Sequence, residues 1–348
     1  MSAETPRKIL LVQLYRIGDA LLTTPAARAL KAAFPQARVE FLCEQPAYQI
    51  INACPDVDEA VFYDRHHTAA MFWEIRRRRY DWVVDFLGTP RTAVLTALSG
   101  APVRAGSDRV FHRWAYNRKL KHPAEPHYVG LEKILMLESL GVRAAQDPLP
   151  RLAIAQDSLD FAKRFYAGAG ITPSDPVVTV SPVSRRHFNR WFLDRYAGLC
   201  DFLRERFKAK VVVLWGPGER QEAQRVAERA NIPPLLGPET RSLADLAALL
   251  SGADLHIGND NGVKHIAAAA GAPTFTIFGP HSPVSWTPPE PSRHRFIQKD
   301  CLCRGDGARK HACPDLRCLD DVSLDEVKRH VESFLSEILA AKAHGAAK

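Results

Sequence analysis

The stretch Leu255–Pro280, LHIGNDNGVKHIAAAAGAPTFTIFGP, limits the choice of fold more than any other part of the chain. It spells a strand, a polar turn, a short helix stopped at Gly271, a second strand and a Gly-Pro turn, with charged and small residues gathered at the turns. In an alternating α/β pattern, the Asn259–Val263 turn falls at the carboxyl end of one strand and the amino end of one helix. Free backbone N–H groups at such a point, from Asn261, Gly262 and Val263, suit an anionic ligand such as a phosphate. Asp260 fits poorly against a diphosphate seated directly on that helix, so it is expected on a hydroxyl or at the helix cap. Lys264 and His265 are expected one turn from the ligand or on its rim; the alternatives are a solvent-facing lysine and a histidine that merely satisfies its ring N–H.

The same grammar opens the chain. Lys8–Leu14 reads as a strand, Tyr15–Asp19 as a turn and Ala20–Lys31 as a helix, which is how doubly wound α/β domains begin. The turn is YRIGD rather than G-x-G-x-x-G, so the dinucleotide fingerprint is absent. Asp19 reads either as a helix N-cap or, in a cleft at a strand's carboxyl end, as a proton acceptor for an attacking hydroxyl. After the Pro- and Asp-bearing stretch Ala144–Leu152, AAQDPLPRL, the grammar restarts. Val177–Val180 is a strand, SPVSRRHFN a polar loop, Trp191–Phe207 a helix and Lys210–Trp215 a strand. The basic loop residues Arg185, Arg186, His187 and Arg190 follow a strand, so at least one is expected to bind an anion in the same crevice.

With 348 residues, 46% of them hydrophobic, the chain is long enough for two domains. The expected division is 1–165, 166–322 and a terminal helix and tail over 323–348. No apolar run reaches about 18 residues, and the amino terminus enters a strand without a signal-peptide pattern, so a cytoplasmic protein is expected. A formal charge of +8 favours acidic partners: nucleic acid, anionic lipid or a phosphorylated small molecule. Nothing matches a helix-turn-helix, a zinc-finger module or a long basic tail, so nucleic acid is not expected. The run Arg76–Arg79 reads as a solvated helix end, with anionic lipid or an acidic acceptor as the other reading. Cys301, Cys303, Cys313 and Cys318 form a cluster whose C-x-C start is tighter than a usual zinc knuckle. Buried unligated thiols and a structural zinc site both stay open, and no catalytic metal centre is read. From Ser323, with Glu326 completing a capping box, an amphipathic helix carries Val327, Val331, Phe334, Leu335 and Ile338.

The opening segment LLVQLYRIGDALLTTPAARALKAAFP and the later GNDNGVKHIAAAAGAPTFTIFGPHSP resemble the two signatures of the ADP-heptose:lipopolysaccharide heptosyltransferases, glycosyltransferase family 9. The resemblance implies a GT-B architecture, two facing Rossmann-like domains with an interdomain cleft. It implies a sugar-nucleotide donor, ADP-heptose, held by the second domain and a glycan or glycolipid acceptor approached from the first. Transfer would invert the anomeric centre without a metal cofactor, and the final helix would return to the first domain. A glycolipid acceptor brings peripheral contact with an anionic membrane, at the cytoplasmic face of the inner membrane.

By position, Asp19 resembles the family's catalytic base and Gly18 the glycine shaping its loop, while Asp260, Gly262 and His265 resemble the donor-binding turn. Asn261 departs from the usual Ser or Thr, and Asn189-Arg190-Trp191 stands where Lys-Arg-Trp is common. Arg185, Arg186 or Arg190 would then replace the missing lysine. Two other functions fit the same residues: a sugar-nucleotide epimerase, and a non-enzymatic protein that binds a sugar nucleotide.

Overall fold

The computed structural model describes residues 5–143, 147–300 and 316–345. The chain divides into two compact units, Met1–Ala153 and Ile154–Lys348. The first is built on six strands: β1 Lys8–Val12, β2 Arg38–Cys43, β3 Glu59–Phe62, β4 Trp82–Asp85, β5 Val103–Ser107 and β6 Arg118–Leu120. They pair in the order β3-β2-β1-β4-β5-β6, every pair parallel. The second unit repeats the plan with β7 Val177–Ser181, β8 Lys210–Val213, β9 Leu235–Leu236, β10 Leu255–Asn259, β11 Thr274–Phe278 and β12 His294–Gln298. Its order is β12-β11-β10-β7-β8-β9, again all parallel. Both orders are the Rossmann arrangement, which reverses direction between the first and fourth strands of each sheet. Helices cover a parallel sheet on both faces, which is why β1, β4, β7, β10 and β11 read as nearly unbroken apolar runs.

Strand and helix positions follow the sequence reading closely, with a few differences of physical interest. The expected single helix over Ala20–Lys31 is two, Ile17–Leu21 and Thr24–Ala33. Pro25 has no N–H to continue the first helix and is well placed to start the second. Gly106 lies inside β5. A Cβ on Gly106 would lie 2.5 Å from the Tyr116 ring, so this glycine serves a close side-chain approach rather than a turn.

The boundary between units also falls earlier than expected. Helix Gln156–Gly168 belongs to the second unit, where Ser158 Oγ donates to Asp245 Oδ1 at 2.8 Å and the Tyr166 hydroxyl donates to the Leu249 carbonyl. The terminal helix Leu324–Gly345 is grouped with the second unit. Its Val327, Val331, Phe334 and Leu335 are fully buried in one core with Val178, Leu199, Cys200 and Phe275. Arg206–Glu332, Arg295–Glu337 and Lys342–Asp254 pairs run along its polar side. Four fully buried apolar side chains contribute about 1.5–3 kcal/mol each, far more than exposed ion pairs worth about 0–1.

Cys318 is buried in that core, while Cys301, Cys303 and Cys313 lie outside the described residues. Among the described residues no group of three or more His, Cys, Asp or Glu is placed to hold a metal ion. Among them, too, no helix is long and apolar enough to cross a membrane.

Phe334→Ala is expected to lower the stability of the second unit by about 3–5 kcal/mol, read as a fall in the urea midpoint. A loss below about 1 kcal/mol would mean that the terminal helix is not integral to that core.

Candidate functional site

In open parallel sheets, ligands bind beyond the carboxyl ends of the strands where the strand order reverses. In the second unit that point lies between β7 and β10, so the loops after Ser181 and Asn259 flank it. Gly258 allows the approach of the two strands, since a Cβ there would lie 2.2 Å from Ser181 Oγ. Below it His256 is fully buried between Thr179 Oγ1 at 3.0 Å and Ser181 Oγ at 3.1 Å, and burial takes its pKa down to about 3. It is a neutral core residue.

The next three side chains build the turn. Asn259 Oδ1 accepts from the Trp191 backbone N–H at 2.9 Å, and its Nδ2 donates to the Pro182 carbonyl at 2.8 Å, tying down both ends of the β7 loop. Asn261 caps helix Gly262–Ala269: Oδ1 accepts from the N–H groups of Val263 at 3.0 Å and Lys264 at 3.2 Å, while Nδ2 donates to the Val183 carbonyl at 2.9 Å. A serine or threonine could cap the helix in this way, but its single hydroxyl lacks the amide's pair of donors. The Asn261 departure therefore has a structural use, a brace between cap and loop. It also engages the Val263 N–H that was expected to face a phosphate.

Asp260 is 7% exposed, and its two oxygens meet Lys264 Nζ at 2.6 Å and His281 Nδ1 at 2.5 Å. Burial pushes this carboxyl's pKa up, but Lys264 and His281 outweigh it and hold it well below the usual carboxylate range. Lys264, 3% exposed, lies over the Phe278 ring at 4.2 Å, and burial lowers its pKa against the pull of Asp260. Its 2.6 Å approach to Asp260 is an ion pair off the hydrogen-bond direction. His265 is also buried, edge-on to Trp286 with ring centroids 5.9 Å apart, and burial takes its pKa down to about 3. Lys264 and His265 thus differ from the expected rim residues: both turn inward because this face of the helix packs on Phe278 and Trp286.

Asn189 is buried beneath the turn and donates through Nδ2 to the Asp260 carbonyl at 3.1 Å, a positioning contact without charge. Gly279 admits the same loop: a Cβ there would come within 2.3 Å of the Phe188 carbonyl oxygen. Arg185, Arg186, His187 and Phe188 line an open cavity of about 310 Å³. Arg185 and His187 are exposed, whereas the Arg186 guanidinium lies over the Phe188 ring at 5.5 Å. Arg190 is exposed and its Nε donates to the Ser184 carbonyl of its own loop. The loop's arginines therefore supply cationic surface, while Lys264 spends its charge on Asp260. His281 was not singled out in the sequence, although a histidine just after a strand-ending Gly-Pro is a readable signal.

The corresponding point in the first unit lies between β1 and β4. Helix Ile17–Leu21 starts from Arg16, whose φ of 71° is unusual for a non-glycine residue. Gly18 is buried within it and Asp19 is partly exposed, at its third position. Asp19 is therefore not the residue at the N-cap position, which removes the simplest structural reading of this carboxylate. Across the point, Asp85 is fully buried: Oδ1 accepts from the Leu87 and Gly88 N–H groups, each at 2.9 Å, and Oδ2 accepts from the Tyr116 hydroxyl at 2.7 Å. Burial raises its pKa. Lys133, from helix Val129–Met136, donates to the Phe86 carbonyl at 3.4 Å. Burial lowers the pKa of its ammonium, opposed by Glu132, Asp19 and Asp85, which places its charge in the field of Asp19. No local pattern marks Lys133; the packing of its helix delivers it.

A family model for glycosyltransferase family 9 (heptosyltransferase) matches residues 68–306. This chain belongs to that family. Lipopolysaccharide heptosyltransferase 3 of Escherichia coli K12 is 26% identical over 288 residues, covering 78% of this chain and 82% of the relative. Among solved structures, the family 9 glycosyl transferase of Veillonella parvula superposes with a TM-score of 0.82 at 23% identity, over 95% of this chain and 97% of the other. The E. coli ADP-heptose lps heptosyltransferase II gives 0.75 at 21% identity, over 95% and 99%. The fold is GT-B, with one Rossmann-like sheet in each unit.

Asp260→Asn should leave Lys264 buried without its countercharge and cost about 3–5 kcal/mol at neutral pH. Because the folded carboxyl titrates below its unfolded value, this stabilisation is fully present above about pH 4 and is lost as pH falls through the folded pKa. Urea unfolding at pH 7 and near pH 2 should show the gap between wild type and variant narrowing at the acid end.

Proposed function

We propose that the protein is an inverting glycosyltransferase that moves a heptose from ADP-heptose to a lipopolysaccharide core or related glycan acceptor. The observation that carries this reading is the second unit's switch point in a family 9 chain. There a rigid Asn259–Asp260–Asn261 turn stands beside a loop presenting Arg185, Arg186, His187 and Arg190. The identity of the donor is supported by the name of the E. coli structure, an ADP-heptose enzyme of the same fold.

In the proposed reaction Asp19 takes the proton of an acceptor hydroxyl as its oxygen attacks the donor's anomeric carbon. The bond from that carbon to the diphosphate oxygen breaks, the centre inverts, and ADP departs with the bonding electron pair. Lys133 and Asp19 interact through their charges, against the burial that lowers the lysine's own pKa. The arginines of the second unit and the Gly262 N–H offset charge on the leaving diphosphate, so the mechanism needs no metal cofactor. Gly18 is buried beside Asp19 in helix Ile17–Leu21. A glycolipid acceptor would draw this basic protein, of formal charge +8, to an anionic membrane at its cytoplasmic face.

The test is transfer from a panel of ADP-, GDP- and UDP-sugars, ADP-heptose included, to deacylated lipopolysaccharide core acceptors, reading acceptor mass and nucleotide release together. A heptose increment with ADP release is expected. Nucleotide release without an increment would mean hydrolysis, and donor binding without product would favour a sugar-nucleotide-binding protein, a reading to which the uncharged Asn189 lends weight. Asp19→Asn is expected to lower kcat by about 10²–10⁴-fold with donor affinity retained. An unchanged kcat in the folded variant would remove Asp19 from the base role.

A further inference from the structure

Two of the groups expected to meet an anion at the amino end of helix Gly262–Ala269 are already engaged. The Val263 and Lys264 N–H groups donate to Asn261 Oδ1, and the Lys264 ammonium is buried against Asp260. Beside them stands a side chain with a different geometry. His281 follows β11 at the carboxyl edge of the sheet, and its side chain is 26% exposed where Asp260 is 7% and Lys264 is 3%. Its Nδ1 lies 2.5 Å from Asp260 Oδ2. An ionised carboxylate only accepts, so at the shorter contact Nδ1 donates to Asp260, and the Asn189 Nδ2 at 3.2 Å from the same nitrogen is then not a donor to it. That fixes the ring's orientation and leaves Nε2 for a second partner; no hydrogen bond to Nε2 is found among the described residues.

The ring is also held from its other sides. Phe188 meets it edge-on at 5.9 Å, and Trp286 lies 6.5 Å away. Gln298 Nε2 donates to the His281 carbonyl at 2.7 Å and to the Gly279 carbonyl at 2.6 Å, pinning the turn. Phe188 belongs to the wall of the basic cavity with Arg185, Arg186 and His187, so one aromatic ring touches both the cavity's arginine and His281.

We propose that His281, oriented by Asp260, binds a phosphate oxygen of the nucleotide through Nε2. This rests on the reading of the second unit as the donor site and adds to it a named donor-binding side chain. The contact uses a proton on each ring nitrogen, Nδ1–H donated to Asp260 and Nε2–H donated to the phosphate. Asp260 then acts on the ligand through His281, which explains how a buried carboxylate is compatible with an anion nearby: the histidine stands between like charges. Lys264 neutralises the carboxylate from the other side, so the carboxylate does not oppose an anion at the His281 edge.

The test is calorimetric binding of ADP against adenosine, with GDP and UDP against their nucleosides, to the full-length wild type, His281→Ala and His281→Asn. Asparagine can keep a donor to Asp260 while placing nothing at the Nε2 position, so it isolates the proposed contact from the structural one. Both variants are expected to bind the diphosphate at least about tenfold more weakly, with nucleoside affinity unchanged. A His281→Asn protein that binds every diphosphate as wild type does would overturn the proposal, as would an equal loss for diphosphate and nucleoside. Wild type that binds none of the three diphosphates would instead overturn the donor-site reading, and the proposal with it.

Discussion

Each sheet consists only of parallel strands, and that constraint arranges everything else. Parallel strands need crossover connections, the crossovers bury both faces, and a buried face leaves little room for polar side chains along the strands. Polar chemistry is pushed to the strand ends. At most ends neighbouring loops close over the sheet, but between β1 and β4, and between β7 and β10, the chain departs in opposite directions and a crevice opens. The two candidate centres occupy these places: Gly18 and Asp19 with Asp85 and Lys133 in one unit, and the 182–190 loop with the 259–265 segment in the other.

The two centres handle buried charge differently. Asp85 is sealed by two backbone N–H groups and the Tyr116 hydroxyl, so it shapes the turn after β4 and acts on Lys133 through its charge. Asp260 has a side-chain partner on each oxygen, Lys264 on one and His281 on the other, and of the two only His281 reaches towards solvent. A carboxylate of this kind is costly unless paired, but once paired it orients its partner. The inward Lys264 supplies the neutralisation, and the half-open His281 receives the orientation.

Much of this is legible in the sequence. The strand-turn-helix grammar named the right turns, because hydrophobic periodicity and Gly, Pro and Asn punctuation are local signals. Asn261 was marked as an unusual residue, and the structure shows its amide reaching from the helix cap to the Val183 carbonyl. His281 and Lys133 were not marked. Each lies on an element distant in sequence from the carboxylate it serves, and no spacing rule links residue 281 to 260 or 133 to 19. Its place on the helix puts Lys264 one turn from the ligand or on its rim, and exposure is the ordinary state of a lysine. Burial beside Asp260 is a tertiary exception.

The sequence by itself determined the fold class, the repeated α/β halves, the family and the turns that carry the polar residues, since all of these are written in periodicity and contiguous motifs. Only the tertiary structure decided which side of helix Gly262–Ala269 faces inward, where the first unit ends, and that the terminal helix completes the second unit's core. The reason is the same in each case. An amphipathic helix announces that it has an apolar face, but the surface that covers that face is chosen by packing among segments far apart in the chain, and the partners of buried charges are chosen with it.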